Sequence, residues 1–205
     1  FMRYTGRLYM KVNYLIDERN DPIVATHGAT RLLRFNYKLL NNWPLAVTAY
    51  NFGPTGMKKE KDKLKTDNLA EIIQKSSNKR LGFASGNFYA SFLAALEVEK
   101  NAAKYFGNVE WSNQLDFDEV ILPKVIRYSA LLEHFGGDIE RAALYNPHFS
   151  ITVKRYHGAL PTGAKIRVPK SSSDRFLASI EKSKESLAKT AKKEQSSNKN
   201  LPQDQ

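Results

Sequence analysis

The chain has 205 residues, 41% of them apolar and 11% aromatic, so it has material for a substantial core; at roughly 150 residues per domain it makes one large domain or two unequal ones. Lys and Arg outnumber Asp and Glu by 32 to 21, and the net charge of +11 favours a polyanionic partner such as nucleic acid, an anionic lipid surface or an acidic wall polymer. The absence of cysteine excludes disulfides, thiolate metal sites and cysteine nucleophiles, and no stretch approaches the roughly 18 to 20 consecutive apolar residues of a membrane-spanning helix.

The chain opens Phe1-Met2-Arg3, with neither an initiator methionine nor a signal pattern, and reads as a piece of a longer precursor. Helical spacing dominates as far as about Phe106. Asp21-Pro22 is a cap followed by proline at the first helical position, and a helix is expected from Ile23 to Asn41, with Ala25, Ala29, Leu32, Leu33, Asn36, Leu39 and Leu40 near one stripe. Trp43-Pro44 starts a second helix, which stops at Phe52-Gly53-Pro54. A third is expected from about Asn87 to Tyr105.

Between the second and third helices, residues 57–80 carry a basic run. Two readings stand side by side. One is a solvated helix face with ion pairs, such as Glu60 near Lys63 and Asp67 near Glu71 and Lys75; the other is a surface that holds an anionic polymer.

After about residue 110 the pattern changes. Residues 115–122 alternate and end before Pro123, as a strand does. A helix from about Lys124 to His134, a second from Ile139 to Tyr145 capped by Asp138, and a closing strand over 163–169 complete a small βααβ module. Of the 11 Phe, 10 Tyr and 2 Trp residues, only Phe176 lies beyond position 170. The polar composition of 171–205 predicts a disordered tail, although Phe176, Leu177, Ile180 and Leu187 share one side of a helical wheel.

The histidines at 27, 134, 148 and 157 lack i, i+4 pairing, so no metal site or cofactor is expected. Ala49-Tyr50-Asn51-Phe52-Gly53-Pro54 stands out because a buried helix ends there and its side chains turn outward. Tyr offers a ring and a hydroxyl, and Asn a donor and an acceptor, which suits a sugar and its N-acetyl group; an Asn helix cap beside a core Tyr is the competing reading.

Phe1-Met2-Arg3-Tyr4-Thr5-Gly6-Arg7, Val12-Asn13-Tyr14, Asp17-Glu18-Arg19-Asn20-Asp21-Pro22, Trp43-Pro44-Leu45-Ala46, Ala49-Tyr50-Asn51-Phe52-Gly53 and residues 87–95, in that order, resemble the lytic transglycosylase catalytic domain of the goose-lysozyme-like superfamily, in particular the membrane-bound lytic transglycosylase D type. The resemblance implies a mainly α, lysozyme-like domain whose C-terminal part is residues 1–110, then the small module at 111–170 and the tail at 171–205. It implies cleavage between N-acetylmuramic acid and N-acetylglucosamine in peptidoglycan with a 1,6-anhydro product, one glutamate acting as acid and then as base.

In the family that glutamate precedes the segment resembling Phe1-Met2, so no catalytic residue is assigned and this chain alone is expected to be inactive. Glu18 is expected to be salt-bridged to Arg19 or a neighbouring Arg. The resemblance implies that Tyr50 positions the catalytic carboxyl or stacks on sugar, that Asn51 is an acetamido partner, that Tyr89 is a second hydroxyl near the acid, and that Met2 borders the groove. Asn146-Pro147 and residues 160–169 resemble a LysM-type module without its opening motif.

The implied partner is peptidoglycan, engaged by a monomer in the periplasm or at the outer membrane. A non-catalytic wall-binding or scaffold protein is the alternative. Nucleic acid is not expected, since no reader-helix motif accompanies the charge.

Overall fold

A computed structural model describes residues 1–181, which divide into two compact units: residues 1–10 with 22–113, and residues 11–21 with the chain from 114 onward. The break expected near 110 thus falls at 113/114. The larger correction is that residues 11–21, expected in the first domain, group with the second unit.

In the first unit a short helix α1 (Arg3–Gly6) precedes α2 (Pro22–Leu40). Gly28, Leu32, Asn36 and Leu40 form the buried stripe of α2 at a spacing of four, while Leu39 of the expected stripe is exposed. Asn41 adopts the left-handed conformation with φ 51° and ends α2, and the Asn42 side chain accepts from the Leu45 N–H to start α3 (Trp43–Phe52). Leu45, Ala46, Val47, Thr48, Ala49 and Phe52 of α3 are all buried, and small residues let it lie close to α2, where buried Asn36 Nδ2 donates to the Ala46 carbonyl at 3.1 Å. Gly53, at φ 97°, ends α3.

Two further helices, α4 (Pro54–Leu64) and α5 (Leu69–Lys75), make up most of the basic run. Met57 and Ile72 enter the core with Leu40, Leu45, Ala49, Phe52 and Leu81. Four of the eight cations in the basic run, Lys58, Lys61, Lys63 and Lys75, have partners within the first unit. Lys61 Nζ donates to the Leu40 carbonyl, Lys58 pairs with Asp62, and Lys75 pairs with Glu71 as expected. Glu60 does not serve Lys63. It is buried, accepting from Ser76 Oγ and Asn78 Nδ2, because its position on α4 turns inward.

The third expected helix is two, α7 (Phe88–Lys100) and α8 (Ala102–Phe106), after a short α6 (Phe83–Gly86). Asn101, outside the helical region at φ −117° and ψ 36°, separates α7 from α8. No residue of α7 is fully buried despite its apolar composition.

In the second unit β1 (Phe117–Ile121) pairs antiparallel with β4 (Lys165–Pro169), joining the two ends of the module. The region between them departs from the βααβ expectation. Residues Ile126–Arg127 form β2 against β3 (Ala159–Leu160), so helix α9 begins at Tyr128, not Lys124. After α10 (Ile139–Tyr145), capped by Asp138 as expected, a further helix α11 (Ile151–Arg155) is capped by Ser150. The tail expected from 171 is also corrected. Residues 173–181 form a helix, α12, whose Phe176 and Ile180, one turn apart, are buried in the core of this unit. Leu187 lies outside the described residues.

Residues 11–21 complete this core. Ile16 is buried and bridges Phe149, Asp17 N–H donates to the His148 carbonyl, and Ser150 N–H to that of Leu15. The expected Glu18–Arg19 pair is absent: Asp17 holds Arg19 in a two-point bond at 2.6 and 2.8 Å, and Glu18 Oε2 accepts from the Lys11 N–H. Asp21 is buried and accepts from Arg167 Nη1 at 2.6 Å, with His148 Nδ1 3.5 Å away. The Asn146 amide clamps Arg167 by bonding both its N–H and its carbonyl at 2.8 Å.

Candidate functional site at the end of α3

At 100° per residue, burying Ala49 and Phe52 sends the intervening Tyr50 and Asn51 outward in the last turn of α3. Tyr50 is half-buried. Its ring stacks on Phe88 of α7 with centroids 6.0 Å apart and planes at 12°, and meets the Phe1 ring edge-on at 5.7 Å. Phe1 in turn leans on Tyr9, over which the Arg31 guanidinium sits at 5.3 Å. With its ring held by two neighbours, Tyr50 has its hydroxyl to offer. That hydroxyl has no hydrogen-bond partner among the described residues, and burial pushes its pKa up, which keeps it a proton donor at neutral pH.

Asn51 is exposed, and its Oδ1 accepts from Ser85 Oγ at 2.7 Å. Its Nδ2 has no protein partner among the described residues, so two N–H donors remain beside the Tyr50 hydroxyl. The turn therefore presents donors to a ligand rich in carbonyl and hydroxyl acceptors.

Tyr89 is not brought to this pair. One step further round α7 from Phe88, it lines an open cavity of about 530 Å³ with Asn42, Pro44, Asp67, Asn68 and Ile73, and the α7 residue against Tyr50 is Phe88. Met2 is 80% exposed beside α1. No carboxylate among the described residues hydrogen-bonds to Tyr50 or Asn51, and among the described residues no group of three His, Asp or Glu is placed to hold a metal ion.

Residues 1–73 match the family model of the transglycosylase SLT domain. The SLT match supports a lytic transglycosylase superfamily domain there, with peptidoglycan as the substrate it implies, and the mainly helical fold agrees with a lysozyme-like SLT domain. No curated protein matches the chain. The SLT match contains Tyr50 and Asn51 and ends within α5, before Ser85 and Phe88. It also contains residues 11–21, which the fold assigns to the second unit.

Sequence reasoning missed Ser85 and Phe88. Ser85 sits in no motif and meets Asn51 across 34 residues. Phe88 adjoins Tyr89 in the segment that resembles the family, and the contact with Tyr50 distinguishes the two.

Proposed function

We propose that the chain engages peptidoglycan glycan strands through Tyr50 and Asn51 and serves the lytic transglycosylase reaction. In that reaction a glutamate protonates the oxygen between N-acetylmuramic acid and N-acetylglucosamine as the bond from that oxygen to C1 of the muramic acid breaks and the N-acetylglucosamine leaves; it then takes the proton of the muramic acid's C6 hydroxyl as O6 bonds to C1 to close the 1,6-anhydro ring, which restores the acid. The observation that carries the reading is a pair of unpartnered donors, Tyr50 hydroxyl and Asn51 Nδ2, at the end of a helix lying within the SLT match.

Tyr50 and Asn51 bind and orient here; neither supplies the acid. Because no described carboxylate hydrogen-bonds to them, we propose that these 205 residues alone do not turn glycan over. The same observation favours a second reading, a non-catalytic wall-binding protein. For residues 111–170 we propose a degenerate LysM-type or packing module, and under either reading we propose a monomer in a bacterial envelope.

Sedimentation with purified sacculi, followed by mass spectrometry of the released material, tests this. Expected is saturable binding, weakened several-fold by Asn51→Ala without a change in thermal midpoint, and no anhydro-muropeptides. Unchanged binding by Asn51→Ala would remove the groove assignment, and release of anhydro-muropeptides would overturn the inactivity.

A further inference from the structure

The two edges of the β1–β4 pair are finished differently. The Asn146 side chain bonds both the N–H and the carbonyl of Arg167, so those groups point away from β1. In an antiparallel pair this makes Glu119 and Arg167 a couple without mutual backbone bonds. The ladder bonds therefore join Asp118 to Val168 and Val120 to Ile166, and Leu122, whose N–H donates to the Ala164 carbonyl, continues the alternation. All three outward carbonyls of β4 are satisfied. His148 Nε2 donates to that of Lys165, Asn146 Nδ2 to that of Arg167, and the Ser172 N–H and hydroxyl to that of Pro169.

The far edge of β1 has no such cover. By the same alternation Phe117, Glu119 and Ile121 direct their N–H and carbonyl groups away from β4, and none of these groups has a hydrogen-bond partner among the described residues. The Ile121 side chain is 64% exposed. A row of unpaired backbone groups is a template for an added strand.

Charge decides what kind of strand fits. Residues 115–122 carry Asp116, Asp118 and Glu119 and no Lys or Arg, in a chain of net charge +11. Lys170 pairs with Asp118 and Lys165 with Glu119, which leaves exposed Asp116 without an ion pair among the described residues. Two copies of β1 paired antiparallel about Glu119 would set those carboxylates directly opposite each other, which disfavours a second copy of this chain. A cationic strand meets the opposite sign at Asp116.

We propose that β1 is a docking edge for an extended, lysine- or arginine-bearing segment of another protein, which adds as a third strand through the backbone groups of Phe117, Glu119 and Ile121. Backbone bonds give the affinity, and a basic side chain near Asp116 gives the preference.

The whole isotope-labelled chain and the capped peptide acetyl-Thr-Lys-Val-Lys-Val-Lys-Thr-amide test this. Saturable binding is expected, with hydrogen exchange of the Phe117, Glu119 and Ile121 amides slowed by about 10-fold or more, while the Val120 amide, already in the ladder, changes less. The peptide with Glu in place of Lys is expected to bind about 3- to 10-fold more weakly. Ile121→Pro removes one outward donor and leaves the ladder bonds of Val120 in place, so it is expected to weaken binding by about 3- to 10-fold without faster exchange at Ile166 and Val168.

No saturable binding, or binding that leaves the three amides unprotected, would overturn the added strand, and the wild-type chain gives that result even if Ile121→Pro does not fold. Equal binding by a folded Ile121→Pro would overturn it too. Equal binding of the Lys and Glu peptides would overturn the basic preference. Protection of the same amides on concentrating the chain alone would assign the edge to a second copy and overturn the proposal.

Discussion

Replacing Asp21 with alanine removes the partner of a buried cation. The Asp21 and Arg167 side chains are 1% and 7% exposed and 2.6 Å apart. A second carboxylate, Glu119, is 4.0 Å from Arg167 Nε and 37% exposed, and the Phe117 ring lies 4.8 Å from the guanidinium carbon. Neither replaces a buried ionic bond of 2.6 Å, so Asp21→Ala is expected to cost the second unit about 3–5 kcal/mol, the range for orphaning one partner of a buried pair. That is a third or more of a typical domain stability of about 5–15 kcal/mol.

Asp21→Ala with Arg167→Met is expected to recover part of the loss, because no charge is then left behind. Both tryptophans, Trp43 and Trp111, lie in the first unit, so the second unit needs a probe of its own. Hydrogen exchange of the β1 and β4 amides reads the second unit directly. A cost below about 1 kcal/mol, or a double variant no better than the single, would refute the reasoning.

Glu60→Ala removes a carboxylate that accepts from Ser76 and Asn78 and is expected to cost the first unit about 1.5–3 kcal/mol, while exposed Lys59→Ala is expected to stay within about 0.5 kcal/mol; tryptophan-monitored urea unfolding separates them. Phe176→Ala in α12 is expected to cost the second unit about 3–5 kcal/mol by exchange, and a negligible loss would contradict the docked helix. Burial, with Arg175 adding to it, holds His134 below the ordinary histidine pKa. The unfolded chain therefore takes up the proton first, so this group's contribution is complete above about pH 6.5 and is lost as pH falls below it. His134→Gln is expected to flatten that part of the exchange-monitored stability profile.

Local signals explain which elements were legible. The four-residue stripe of α2, the Asn42 and Pro44 start of α3 and the Asp138 cap of α10 each sit within a few residues of the structure they specify. The rest depends on contacts distant in sequence. Asp21 reads locally as a helix cap, yet it bonds Arg167 across 146 residues, and nothing nearby assigns residues 11–21 to the second unit. In α12 the spacing of Phe176 and Ile180 was visible, but polar composition outweighed it until the core showed where those two side chains go. At the site, the outward turn of Tyr50 and Asn51 at the end of α3 was legible from the helix pattern, and their engagement of glycan is the proposal made above. Ser85 was not legible, because a lone serine carries no pattern until the fold brings it against the amide.

The central claim, that the last turn of α3 binds peptidoglycan glycan, is tested most directly by titrating the isotope-labelled chain with a β-1,4-linked N-acetylglucosamine tetramer and following backbone and side-chain amides by NMR. The account predicts saturable shifts centred on the Tyr50 and Asn51 backbone amides and the Asn51 side-chain amide, persisting at high salt because the contacts are hydrogen bonds to a neutral ligand. Shifts confined to the lysines of α4 and abolished by salt, or no saturable shift at Asn51, would contradict it.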